Sequence, residues 1–168
     1  SQQGIIMALE RCYVLRSDVE PDYEPDPSTS LGAISRSTGV STVELAYDAL
    51  VSSDDPTMLL LPLFNYADGN HDALLEQMKD DAAVVGLADG GAHCGAICDA
   101  SIPTYMLSHW VKGRSRGERL GLEDAVRRLT SQPAALYGLD DRGTVAVGKR
   151  ADLNVIDLGE LRLLAPHA

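Results

Sequence analysis

Asp89 directly follows the apolar run Ala82-Ala-Val-Val-Gly-Leu-Ala88, and Gly90, Gly91 and Gly95 leave its carboxylate approachable by a metal or substrate. A continuous apolar run of this length reads as a strand buried on both faces. In parallel α/β sheets and barrels, reactive groups sit in the loops that leave the C-terminal ends of strands. A carboxylate there can ligate a divalent metal and take a proton from metal-bound water. Spacing alone favours a helix cap or a turn-forming aspartate. His93, Cys94 and Cys98 follow in the same Gly-rich loop. Adjacent His and Cys side chains rarely converge on one metal, and the two-plus-two spacing of a structural zinc site is missing. An inert, partly buried cysteine therefore outweighs both a local zinc site and a cysteine nucleophile.

A strand, a helix and a second strand would position Asp89. Met58-Leu-Leu-Leu-Leu-Pro-Leu-Phe64 is an apolar run of strand length, and His71 to about Lys79 is helical, with Leu74, Leu75 and Met78 on one side. Together with 82–88 this predicts a βαβ unit and a parallel sheet. Upstream, Gly4 to Leu15 suits a strand or a short helix. Three prolines between Ser17 and Pro27 make that stretch a loop. Ser28 to Ser30 offers caps for a helix ending near Gly39, and Ser41-Thr-Val-Glu44 is a capping box opening a helix to about Val51. Downstream, helices are expected around Thr104–Lys112, Leu122–Thr130 and Gln132–Tyr137. Short strands are then expected at Gly143–Val147 and Ala151–Ile156, around a turn at Gly148-Lys-Arg150.

The remaining titratable groups suggest less chemistry. Asp18, Glu20, Asp22, Glu24 and Asp26 lack the glycine and ligand order of an EF-hand, so the acidic stretch reads as a solvated loop rather than a calcium site. His71 opens a helix and is expected at the surface. His109, beside the only tryptophan, is expected to pack or cap, and His167 lies near the end.

The 168 residues, 45% hydrophobic, can bury one sizeable core. With 25 acidic against 14 basic residues and a formal net charge of −11, the chain lacks the clustered cations of a nucleic-acid surface. No apolar stretch reaches the roughly 20 residues of a membrane span, and no signal-peptide pattern opens the chain. Three cysteines without framework spacing fit a reducing compartment, so the expected location is cytoplasmic. The first residue is Ser rather than Met, which suggests that the sequence begins within a larger protein.

From Leu122 onward a specific pattern appears. Thr130, Pro133 and Ala134 are followed by Gly138-Leu139, Gly143, Gly148, Ala151-Asp-Leu153 and Asp157. This order resembles the C-terminal passage of amidohydrolase-superfamily enzymes, where a helix ending in Thr-x-x-Pro-Ala runs through Gly-Leu into Gly-x-x-Ala-Asp-Leu-x-x-x-Asp. Val85-Gly-Leu-Ala-Asp-Gly-Gly-Ala-His93 is similar to the eighth-strand passage of the D-aminoacylase-like branch, the N-acyl-D-amino-acid deacylases, and Tyr105-Met-Leu-Ser-His-Trp-Val111 resembles the same branch.

The resemblance implies an α/β fold, the C-terminal part of a TIM-like (β/α)8 metal-dependent hydrolase barrel over 1–140, with the first returning strands of a small β-sandwich over 141–168. It implies zinc in the complete enzyme and hydrolysis of non-peptide amide C–N bonds, with an N-acyl-D-amino acid as substrate. Asp89 would be metal ligand and general acid/base. His93, Gly90 and Gly91 would contact substrate or support Asp89, and Asp152 would order a turn. A complete member also carries an early His-x-His pair and further barrel histidines. None can be placed among the four histidines here, so the chain alone is expected to be inactive and to release zinc. Its partner would be the missing N-terminal barrel portion or a second copy. A non-catalytic or split-subunit module that associates with such a partner is the other reading.

Overall fold

A computed structural model of the chain describes residues 2–51, 57–86, 88 and 99–165, which fall into two compact units, 1–73 with 164–168, and 74–163. Each is built from its own local signals.

In the first unit, α1 (Gln2–Glu10) resolves the opening segment as a helix, and β1 (Tyr13–Leu15) follows it. A 3-10 turn at Pro27–Thr29 leads into α2 (Leu31–Thr38), whose N-terminus is capped by the Ser30 hydroxyl accepting from the Ala33 N–H at 3.2 Å. In α3 (Thr42–Val51) the Glu44 N–H donates to the Ser41 hydroxyl at 3.2 Å, the first half of the expected capping box. Leu31, 1% exposed, packs with Cys12 and Ala46, and Leu9, Leu45, Leu59 and Leu61 close over them. The Leu31 N–H donates to the Cys12 carbonyl at 2.8 Å, which ties the start of α2 to the chain just before β1.

β2 (Met58–Leu60) pairs with β1 in antiparallel register, Tyr13 opposite Leu60 and Leu15 opposite Met58. The expected parallel sheet is therefore not seen among the described residues, and the apolar run forms a ladder only to Leu60. Pro62 has no N–H to donate, so the strand cannot continue through it.

In the second unit, α4 (Asp72–Lys79) contributes Leu75 and Met78 to a core with Met106, Leu107, Trp110, Leu120 and Ala125. Residues 83–86 carry no strand, contrary to the βαβ expectation. A strand buried on both faces needs a neighbour at each edge to fill its ladder, and here the Ala83 carbonyl instead accepts from the Gln132 side-chain amide at 2.9 Å. Helix α5 (Ile102–Tyr105) runs on into a π-helical stretch, Met106–Gly113, closed by the Arg114 N–H donating to the His109 carbonyl at 2.8 Å. That i→i+5 spacing is uncommon and turns Trp110 inward, where it is 3% exposed. Lys112 places its ammonium within 2.8–3.1 Å of the Leu158, Gly159 and Leu161 carbonyls, which uses all three of its N–H donors on one turn.

Helix α6 (Leu122–Leu129) has Glu123 and Asp124 in its first turn and Arg127 and Arg128 in its last, as the helix dipole favours. Asp124 accepts from Arg127 at 2.8 Å and from the buried Arg128 at 2.7 Å. Partial burial by itself would raise the Asp124 carboxyl, but the hydrogen bonds and charges of the two arginines outweigh it and hold the group below the usual carboxylate range. A carboxyl depressed in the folded state contributes stability above its unfolded value, near pH 4, and loses it as pH falls through the folded value. The native chain should lose stability on acidification below pH 4, and Asp124→Asn should be less stable at pH 7 with a shallower acid slope. Equal slopes would refute the assignment.

α7 (Ser131–Leu136) ends as expected at Gly138, whose φ of 66° allows the Leu139 N–H to return to the Ala134 carbonyl at 2.8 Å. Gly143, at φ 83°, lies so close to α7 that a Cβ there would meet the Ala134 Cβ at 2.7 Å. The family-like Pro-Ala…Gly spacing is thus a packing requirement. The strands expected at 143–147 and 151–156 are not formed: both stretches are irregular, with Val147 and Val155 fully exposed. Alternating β-branched residues become strands only against a neighbouring strand, and no neighbour stands beside these segments among the described residues.

Candidate functional site

Asp89, Gly90, Gly91 and His93, the predicted site residues, lie outside the described residues, as do Cys94 and Cys98. Within the first unit, the structure brings a different acid and imidazole together.

The proline-rich loop before α2 spends most of its carboxylates on its own backbone. Asp22 accepts from the Glu24 N–H at 2.8 Å, and Asp26 accepts from the Ser28 N–H at 2.8 Å. These Asx turns direct the intervening Glu24 inward, where it is 2% exposed. Its Oε1 accepts from the His71 backbone N–H at 2.8 Å, immediately before α4. The Tyr66 hydroxyl donates to the Pro25 carbonyl, and the Tyr66 ring stands edge-on to His71 at 4.9 Å and to Tyr13 of β1 at 6.2 Å. Within the first unit, β1, the proline-rich loop and the residues just before α4 therefore converge on one acid and one imidazole. A ligating oxygen of Glu24 and a ring nitrogen of His71 lie within 4.8 Å of each other.

The solvated-loop expectation fails at Glu24, and the expectation of a surface position fails at His71, which is half-buried. Alternating acids carry no periodic signal for which one turns inward. The only hint in the sequence is that Pro21 and Pro25 restrict the backbone on either side of Glu24. A buried carboxylate is costly unless it is compensated by hydrogen bonds or a positive partner, so its retention at this point is informative.

In the second unit, His109 packs as expected. Its ring stacks on Tyr105 at 4.5 Å and 6° and meets Trp110 edge-on at 5.4 Å. The Arg114 guanidinium, in a side chain 1% exposed, lies 4.9 Å over the Trp110 ring and donates to the Glu118 carbonyl at 2.6 Å. Asp152 is exposed and forms an ion pair with Arg150 at 2.8 Å.

Zinc takes imidazole nitrogen and carboxylate oxygen readily, and a catalytic site uses three protein ligands plus water. Glu24 and His71 fit that ion in donor type and proximity and supply two such ligands. No helix among the described residues is long and apolar enough to cross a membrane.

The amidohydrolase family matches residues 35–167. A dihydroorotase of Methanopyrus kandleri is 54% identical over 41 residues, 24% of this chain and 10% of the relative. An N-acyl-D-glutamate deacylase of Alcaligenes xylosoxydans xylosoxydans is 44% identical over 54 residues, 32% of this chain and 10% of the relative. The chain thus matches about a tenth of the length of each of these curated relatives. No solved structure matches it.

Proposed function

This chain belongs to the amidohydrolase family, and from that premise we propose that it is the C-terminal part of a metal-dependent hydrolase that deacylates N-acyl-D-amino acids. The observation that supports this reading most is the family match, which spans Asp89 and the whole Thr130–Asp157 pattern, together with the similarity to a protein named for N-acyl-D-glutamate deacylation. In the complete protein the chain would close a (β/α)8 barrel, with its last segment entering a β-sandwich.

Zinc bound there would polarise the amide carbonyl and lower the pKa of a coordinated water. The Asp89 carboxylate accepts the proton of the attacking water and returns it to the nitrogen of the departing amine, so the C–N bond breaks with no net proton change at the enzyme. Gly90 and Gly91 carry no side chains that would obstruct the substrate beside that carboxylate, and His93 orients the substrate or Asp89. The complete protein works in the cytoplasm on a small amide, without nucleic acid or membrane.

The similarity to a dihydroorotase supports a second reading within the same family, hydrolysis of a cyclic amide. Assays of the complete protein with zinc, on N-acetyl-D-glutamate and on dihydroorotate, separate the two. Zinc-dependent release of D-glutamate is the expected result. Turnover of dihydroorotate alone would replace the deacylase reading with the cyclic-amide one, and turnover of neither would leave the non-catalytic module.

A further inference from the structure

We propose that residues 157–161 form a detachable strap, clamped onto the second unit by Lys112, so that one ammonium holds the exposed stretch 144–156 as a loop fixed at both ends. The Lys112 Nζ donates to the Leu158, Gly159 and Leu161 carbonyls at 3.1, 2.9 and 2.8 Å. All of these residues belong to the second unit.

Three observations carry this reading. First, the strap is a single turn made by its own sequence. The Asp157 Oδ1 accepts the Gly159 N–H at 2.9 Å and the Glu160 N–H at 3.3 Å, and the Asp157 carbonyl accepts the Leu161 N–H at 3.0 Å. A lone turn cannot satisfy its later carbonyls internally, and a cation is their favoured partner, as at a helix C-terminus. The compact ammonium on its flexible stem suits three converging carbonyls better than a planar guanidinium would. Second, the apolar hold on the strap is slight. Leu158 and Leu161 are only partly buried against the core that contains Trp110, and Gly159 and Glu160 are exposed. A segment with few buried contacts opens locally, below the stability of the unit as a whole. Third, the stretch before it resists docking. Residues 144–156 are exposed throughout and carry neither helix nor strand, while their other end is pinned where Gly143 closes on Ala134. Tethering such a loop at both ends costs chain entropy, and the clamp must offset it.

This inference does not require the deacylase reading, and its test reads no activity. Hydrogen exchange of the full chain is followed by mass spectrometry in the native protein and in Lys112→Met, which keeps the apolar stem and removes every donor. In the native chain 157–161 should exchange more slowly than 144–156. Lys112→Met should speed exchange at 157–161 at least about tenfold, the equivalent of one hydrogen bond to a charged group, and leave α6 at its native rate. Native exchange at 157–161 as fast as in 144–156 overturns the proposal, and so does an unchanged rate there in Lys112→Met. An acceleration that reaches α6 equally overturns it too, because Lys112 would then support the whole unit rather than a detachable strap.

Discussion

Asp89→Asn in the complete protein should lower kcat by about 10²–10⁴-fold, the range that a positioned general acid/base supplies. The substitution keeps the size and one acceptor oxygen of the side chain but removes its capacity to take the proton of the attacking water. KM should change much less than kcat, because the lost interaction belongs to the transition state. Far-UV circular dichroism and the unfolding midpoint should stay near those of the native protein, since asparagine matches aspartate in size and shape. Near-native kcat would remove Asp89 from the mechanism. A collapse of the fold would assign it instead to the turn-forming role that spacing alone also allows.

Trp110→Ala should destabilise the second unit by about 3–5 kcal/mol, the usual cost of removing a large buried aromatic side chain. Trp110 is 3% exposed and packs in the core with Met106, Leu107 and Leu120. It is also the face on which the buried Arg114 guanidinium rests at 4.9 Å, a contact worth about 0.5–2 kcal/mol on its own. Trp110→Phe keeps a π face with a smaller ring and should cost less than the alanine change. Urea unfolding followed by far-UV circular dichroism checks both variants. A loss below about 1 kcal/mol in Trp110→Ala would mean that this core is not cooperative with the rest of the unit.

Much of the helical structure was legible locally. The Ser30 and Ser41 caps, the end of α7 at Gly138 and the apolar side of α4 all depend on contacts within a few residues, which spacing reports directly. Strand pairing was not legible in this way. The same apolar runs suit a parallel barrel strand or a short antiparallel edge, and the choice depends on what stands beside them. Pro62 ended β2 earlier than hydrophobicity suggested, and Gln132 took the place of a strand neighbour at Ala83.

The same division holds for the candidate sites. The order of Thr130, Pro133, Ala134, Gly138, Gly143 and Ala151-Asp-Leu153 pointed to the family from sequence alone, and in this chain Gly138 and Gly143 meet local demands of turns and close packing. The approach of Gly143 to Ala134 illustrates such a demand. The pairing of Glu24 with His71 was decided only by the tertiary structure. Beyond the prolines on either side of Glu24, no neighbour in sequence marks either residue, and it is burial, set by the whole first unit, that separates Glu24 from the other acids of its loop.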